Sequence, residues 1–214
     1  MSSPSTPLNY FSVAHFDLSK LRGKYVYLQL LSPEHRDAIY VLAKDERIWE
    51  FNKLLPVDDT YDTSFDAYFN AALDKETLGG QQTFVIRKTD DQSIIGMTRL
   101  YEINEKEKTT VVGYTWYVPS VWGKVHNKEC KLLILGYIFE EWRFNRAELR
   151  VAHQNIRSQK AVEKIGAVKE GILRKHCYRS DGTIRHTVVY SIIDDEWPEA
   201  KEKMLRLIVE SKND

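Results

Sequence analysis

The stretch that most limits what this chain can fold into runs from Val111 to Trp142. VVGYTWYV (Val111 to Val118) has the composition of a buried strand. SVWGKVHNKE (Ser120 to Glu129) is a turn carrying Gly123, and CKLLILGYIFEEW (Cys130 to Trp142) is apolar on nearly every side of a helix. A strand, a tight turn and a buried helix leave backbone N–H groups pointing out of the helix N-terminus, a ready site for an anion such as phosphate. Gly123 carries no Cβ, so a ligand can approach its backbone closely. RAELRVAHQN (Arg146 to Asn155) then reads as a second strand. The helical crossover between the two makes them parallel neighbours.

The remaining elements follow in order. Met1 to Lys20 is an arm, Ser/Pro-rich and then aromatic. KYVYLQLLS (Lys24 to Ser32) is a strand, and Ser32-Pro33 places an N-cap and an N1 proline before a helix whose stripe is Ile39, Leu42 and Ala43. Arg47 to Phe51 is expected to add a helical turn. A second helix should span Tyr61 to Thr77, ending at Gly79-Gly80. Gln82 to Lys88, Ser93 to Ile103 and the strand ending at Val118 form a meander. After the second parallel strand, Arg157 to Ile165 is helical, with Gly166 just past its end. Asp181-Gly182 joins two further strands, in the second of which Ile184, Val188, Tyr190 and Ile192 share one face. A helix closes the chain.

Composition narrows the function classes. The 214 residues hold 31 basic and 31 acidic side chains, so the global field offers nothing to nucleic acid or an anionic membrane. Locally, Arg143 to His186 carries eleven Lys/Arg against four acids. That excess is either a solvated face or a field for a polyphosphate. Cys130 and Cys177 lack CxxC spacing and the six histidines form no HExxH, so neither a disulfide framework nor a metal site is expected. No leader pattern or long apolar run stands out, which gives the expectation of a cytoplasmic protein.

The ordered set GYTWYVPSVWGKVHNKECKLL, NIRSQKAVEKIGAVKEGILRKH and DGTIRHTVVYSIIDDEW resembles the GNAT N-acetyltransferases, in particular their RimJ/RimL-like branch. The likeness covers roughly Leu21 to Trp197. It implies an α/β acyl-CoA N-acyltransferase fold: a mixed, mostly antiparallel seven-stranded sheet with helices on both faces. Residues 21–214 would then be one domain behind the 1–20 arm. It also implies acetyl-CoA as cosubstrate and a primary amine as acceptor, either a protein N-terminus or a small molecule. Attack would be direct, in a ternary complex, with a homodimer among the open assemblies.

The resemblance assigns residues as well. Amides of Gly123, Lys124, Val125, His126 and Asn127 would hold the diphosphate. The strand ending at Tyr117 and Val118 would pair with the pantetheine arm, and a backbone N–H near Tyr117 or Val118 would donate to the developing oxyanion. Asn155 would touch cofactor or substrate backbone, and Ser158 would face the CoA sulfur as proton donor, although Asn-x-x-Ser can equally be a helix N-cap. Both fall within the basic stretch from Arg143 to His186, and this overlap with the proposed cofactor site favours its reading as a field for a polyphosphate. Three positions depart from the family pattern. Val125 stands where a small residue is usual, Val162 where many members have a tyrosine acid, and Cys177 where the branch carries a glutamate base. The missing base keeps a second reading open, a non-catalytic acyl-CoA-binding module. A nucleotide phosphate loop is excluded, because Gly123-Lys124 is followed by Val125 rather than Ser or Thr.

Overall fold

The computed structural model describes residues 17–51, 54–75, 78 and 80–211. Ser32 and Pro33 start a helix as expected. The Ser32 N–H donates to His35 Nδ1, and a 3-10 turn, Pro33–His35, runs into α1 (Arg36–Leu42). Ile39 and Ala43 are fully buried. The turn expected at Arg47 to Phe51 is 3-10, Glu46–Trp49. Helix α2 (Tyr61–Leu73) stops before the expected end, since Asp74 is already extended; Thr77 and Gly79 lie outside the described residues.

One sheet holds β1 (Val26–Leu30), β2 (Gln81–Lys88), β3 (Ile94–Asn104), β4 (Thr109–Tyr117), β5 (Arg146–Ala152), β6 (Val168–Tyr178) and β7 (Ile184–Ile193). Their order is β1-β2-β3-β4-β5-β7-β6. Only β4 and β5 pair in parallel, as the crossover requires. Helices α3 (Val125–Gly136), α4 (Ile156–Lys164) and α5 (Trp197–Glu210) share one core with Leu100, Leu149 and Tyr190. Helices α1 and α2 cover the other face around Phe65, Met97 and Trp116. The expected α/β fold is therefore the observed one.

Four local expectations change. Helix α3 begins at Val125, not Cys130, and a π turn, Tyr137–Glu141, continues it. It is not sealed by apolar side chains alone, since Glu129 and Lys131 are 5% and 7% exposed. The Glu129 carboxylate accepts the N–H groups of Lys24, Tyr25 and Val26 at 2.9, 2.6 and 2.7 Å, so β1 starts at Val26 rather than Lys24. In β7, Val188, Tyr190 and Ile192 are buried but Ile184 is exposed at the hairpin tip. Of the arm, residues 1–16 lie outside the described residues. The Asp17 N–H donates to the Tyr137 hydroxyl at 2.8 Å, which fastens the arm's end to the body.

Candidate active site

Strand β4 pairs with β5 only from Thr109–Arg146 to Val112–Leu149. Beyond that point β4 stays with β3 and β5 stays with β7, so a gap opens in the middle of the sheet. A bulge helps open it. The β3–β4 register shifts by one residue between Gly113 and Trp116, and Tyr114 sits at φ 49°. Past the bulge, the Val118 N–H donates to Ile95 O at 2.9 Å. Bonded and non-bonded positions alternate along an antiparallel ladder, so the Tyr117 N–H faces away from β3, toward the gap. Of the two amides expected to offer a donor, that of Val118 is already spent in the ladder. Tyr117 keeps the position of a donor into the gap.

The turn after β4 brings the anion site to the same place. Pro119–Val121 form a 3-10 turn, Gly123 has φ 77°, and a Cβ built there would meet nothing within 4 Å. Lys124 is the N-cap of α3 and makes no side-chain cap bond; its own N–H, expected at the diphosphate, donates instead to Val121 O at 3.3 Å. The first amides of the helix therefore lack both an intrahelical acceptor and a capping oxygen. Val125 is 8% exposed and packed into the protein. His126 Nδ1 and Asn127 Oδ1 are buried without partners. Burial, and then the positive charges of Lys88 and Lys124, hold the His126 imidazole below its usual pKa, so it stays neutral.

Across the gap stands α4. Asn155 is its N-cap, with Oδ1 accepting the Ser158 N–H at 2.9 Å. The plain structural role of Asn155 is thus realised, while its amide nitrogen is not consumed by the cap. The Ser158 side chain is half-buried and its hydroxyl bonds to no described residue. Val162 is buried in the core. The two helix N-termini meet through Arg157, whose guanidinium lies 4.1 Å over the Trp122 ring, while Trp122 Nε1 donates to Tyr117 O at 2.8 Å. Inside, Tyr117 is buried against Cys130, and burial holds both the phenol and the thiol protonated. Lys131 Nζ donates to Thr115 Oγ1 at 3.2 Å beneath the bulge. Burial lowers the pKa of this ammonium.

Cys177 is exposed on β6 opposite Arg185, and His176 Nδ1 is engaged by Thr187 Oγ1 at 3.0 Å. His153 packs against His186 with ring centroids 4.8 Å apart. The basic excess of the C-terminal half serves the gap only in part. Arg146 and Arg150 alternate with the core residues Ala147, Leu149 and Val151, so they lie on the opposite face from α3 and α4. There they pair with Glu170, Glu148 and Glu102. Arg157 is the basic residue of that run seen on the α3 and α4 side of the gap. Sequence reading missed Arg99, Trp122, Lys131 and Arg185. Arg99 did leave a signal: it falls at the same strand parity as Met97 and Tyr101, a core position taken by a charge.

A family model described as Acetyltransferase (GNAT) domain matches residues 26–168. The Bacillus subtilis protein described as "Putative ribosomal N-acetyltransferase YdaF" is 32% identical over 108 residues, 50% of this chain and 57% of that protein. A T. thermophilus protein, its crystal structure described as that of a "putative acetyltransferase", superposes with a TM-score of 0.77 at 30% identity, covering 87% of this chain and 95% of that one. A spermidine N-acetyltransferase from Vibrio cholerae, solved in complex with CoA and spermine, shares the fold. Its TM-score is 0.64 at 19% identity, over 81% of this chain and 98% of that one. The chain belongs to the GNAT acetyltransferase family, as an N-acetyltransferase whose acetyl donor is acetyl-CoA.

Proposed function

We propose that the chain moves the acetyl group of acetyl-CoA to a primary amine by direct attack in a ternary complex, at the gap between β4 and β5. The observation that carries this reading is the coincidence of that gap with the uncapped N-terminus of α3. Acetyl-CoA supplies an activated thioester; the chain supplies position and protons. The amides of Gly123, Val125, His126 and Asn127 hold the diphosphate, aided by the helix dipole; that of Lys124 is taken by Val121 O. The Tyr117 N–H, aimed into the gap, stabilises negative charge on the carbonyl oxygen. As the C–N bond forms and the C–S bond breaks, the attacking nitrogen sheds a proton and the departing sulfur, whose reference pKa is near that of cysteine, about 8.5, gains one. The Ser158 hydroxyl relays the proton, giving its own to the sulfur and taking the nitrogen's, so that the serine ends as it began. The acceptor is a small-molecule amine or a protein N-terminus, as in the RimJ/RimL-like branch. A cytoplasmic setting and a homodimer fit this reading.

Gly123→Asp puts a side chain and a negative charge at the diphosphate. Titration calorimetry should show CoA affinity falling by more than about tenfold. Unchanged affinity in a folded variant moves the site elsewhere. Ser158→Ala should lower kcat by about 10²-fold with the KM for acetyl-CoA within a few-fold. A variant that melts earlier and keeps its kcat returns Ser158 to the helix start. The second reading, a module that binds acyl-CoA without turnover, is favoured by one observation: position 177 holds an exposed cysteine and no carboxylate. Tight acetyl-CoA binding with no transfer to any of a broad panel of amines would establish it.

A further inference from the structure

The face of the sheet away from α3 carries two arginines that no carboxylate answers. Arg99 on β3 is 3% exposed, and its Nε and Nη2 are buried without a hydrogen-bond partner. Nη1 alone is engaged, donating to Gln81 Oε1 at 3.4 Å. The guanidinium lies 4.5 Å from the Tyr114 ring centroid and 5.1 Å from that of Tyr68. Arg185 on β7 is half-buried, its Nε is also unpartnered, and Nη2 reaches only Arg150 O at 3.5 Å. Among the described residues neither arginine forms an ion pair. The nearby carboxylates are committed elsewhere, Glu102 to Arg150 and Glu148 to both Arg146 and Arg150.

Burying a guanidinium with idle donors is unfavourable, and ring contacts offset only part of that cost. The idle pair on Arg99 is the Nε–Nη2 edge, whose two parallel N–H groups match the two oxygens of a carboxylate. Its location gives it a use. Tyr114 is the bulged residue of β4, at the point where β4 and β5 part, so the arginines flank the gap on the face opposite α3 and α4. Trp49, Tyr68 and Trp116 line the same side, with ring centroids 5.6 Å apart for Trp49–Tyr68 and 5.8 Å for Trp49–Trp116.

We infer that Arg99, with Arg185, forms an acceptor subsite for a carboxylate, so that the amine acetylated here belongs to an amino acid or another amine bearing a free acid group. The inference rests on the acetyltransfer reading for the identity of the ligand as an acceptor. The acid group takes the Nε–Nη2 edge of Arg99, with Arg185 supplying a second charge. A polyamine, which carries no anion, gains nothing from this pair.

The test compares ω-amino acids of increasing length and short dipeptides, each as free acid and as amide. Affinities are read by calorimetry in the presence of CoA, so that no turnover intervenes. The best-fitting acids should bind wild type about 10- to 100-fold more tightly than their amides. Arg99→Met and Arg185→Gln should bring that ratio near one while CoA affinity holds. Arg99→Met should also keep or raise Tm, because it removes an uncompensated buried charge. If that variant fails to fold, Arg99→Lys, which keeps the charge and loses the planar edge, and Arg185→Gln carry the comparison. The proposal falls if no acid binds wild type better than its amide, or if the ratio survives the substitutions. It also falls if Arg99→Met lowers Tm and leaves the ratio intact. An acid preference in binding with no acetyl transfer from acetyl-CoA supports the subsite and counts against the transferase mechanism alone.

Discussion

Two of the charges buried in this protein lie on opposite faces of one sheet, and they are treated in opposite ways. Glu129, under α3, accepts three backbone N–H groups from the start of β1. Arg99, under α2, leaves two of its three nitrogens without a partner. A charge that serves the fold is fully answered by the chain, because any idle donor or acceptor in a dry interior costs free energy. A charge kept unanswered stores that cost for a partner from outside. Glu129 holds the first strand against the crossover helix; Arg99 waits beside the gap.

The largest effect should come from breaking the answered charge. Glu129→Ala strands three amides, of which that of Val26 is buried, and should cost about 4 kcal/mol in chemical denaturation. A loss below about 1 kcal/mol would dissolve the contrast. Next is Gly23→Ala. A Cβ at Gly23 would stand 2.5 Å from the Glu129 carboxyl carbon, so the carboxylate must leave at least one amide. The expected cost is about 2 kcal/mol, falling toward zero in the Glu129→Ala background; additive effects in the double-mutant cycle would refute the coupling.

An exposed pair sets the lower reference. Glu170 is about 40% exposed, and the hydrogen bonds from Arg146 pull its carboxyl down to about 2. A depressed carboxylate contributes stability that is full above its unfolded pKa, near 4.5, and lost as pH falls through about 2. After discounting for solvent screening, Glu170→Gln should cost about 1 kcal/mol or less at neutral pH. It should flatten the stability curve between pH 4.5 and 2, and an unchanged slope there would show that the pair carries no linkage. Smallest of all is Arg99→Met, within about 1 kcal/mol of wild type in the apo protein and on the favourable side. A loss of several kcal/mol would make Arg99 a structural charge like Glu129 and erase the difference between the faces.

What the sequence determined by itself was set by short-range chemistry. Ser32-Pro33, Asp181-Gly182 and the Asn155 cap mark element ends through contacts within a few residues, so local composition specifies them. Strand periodicity and the single helical crossover were enough for the parallel β4–β5 pair in a mostly antiparallel sheet. Tertiary structure decided which amide at the end of β4 was free. The Val118 N–H is consumed by Ile95 and that of Tyr117 is not, and this depends on ladder register across a bulge. It also decided that Arg146 and Arg150 turn to the face away from α3 and α4 while Arg157 stays on theirs, because tertiary placement separates faces that a linear charge count merges. Nothing in the residues around Glu129 or Arg99 marks either one as a buried charge that the chain would answer or leave unanswered. Only long-range packing, 103 to 105 residues away for Glu129, supplied acceptable partners to one and withheld them from the other.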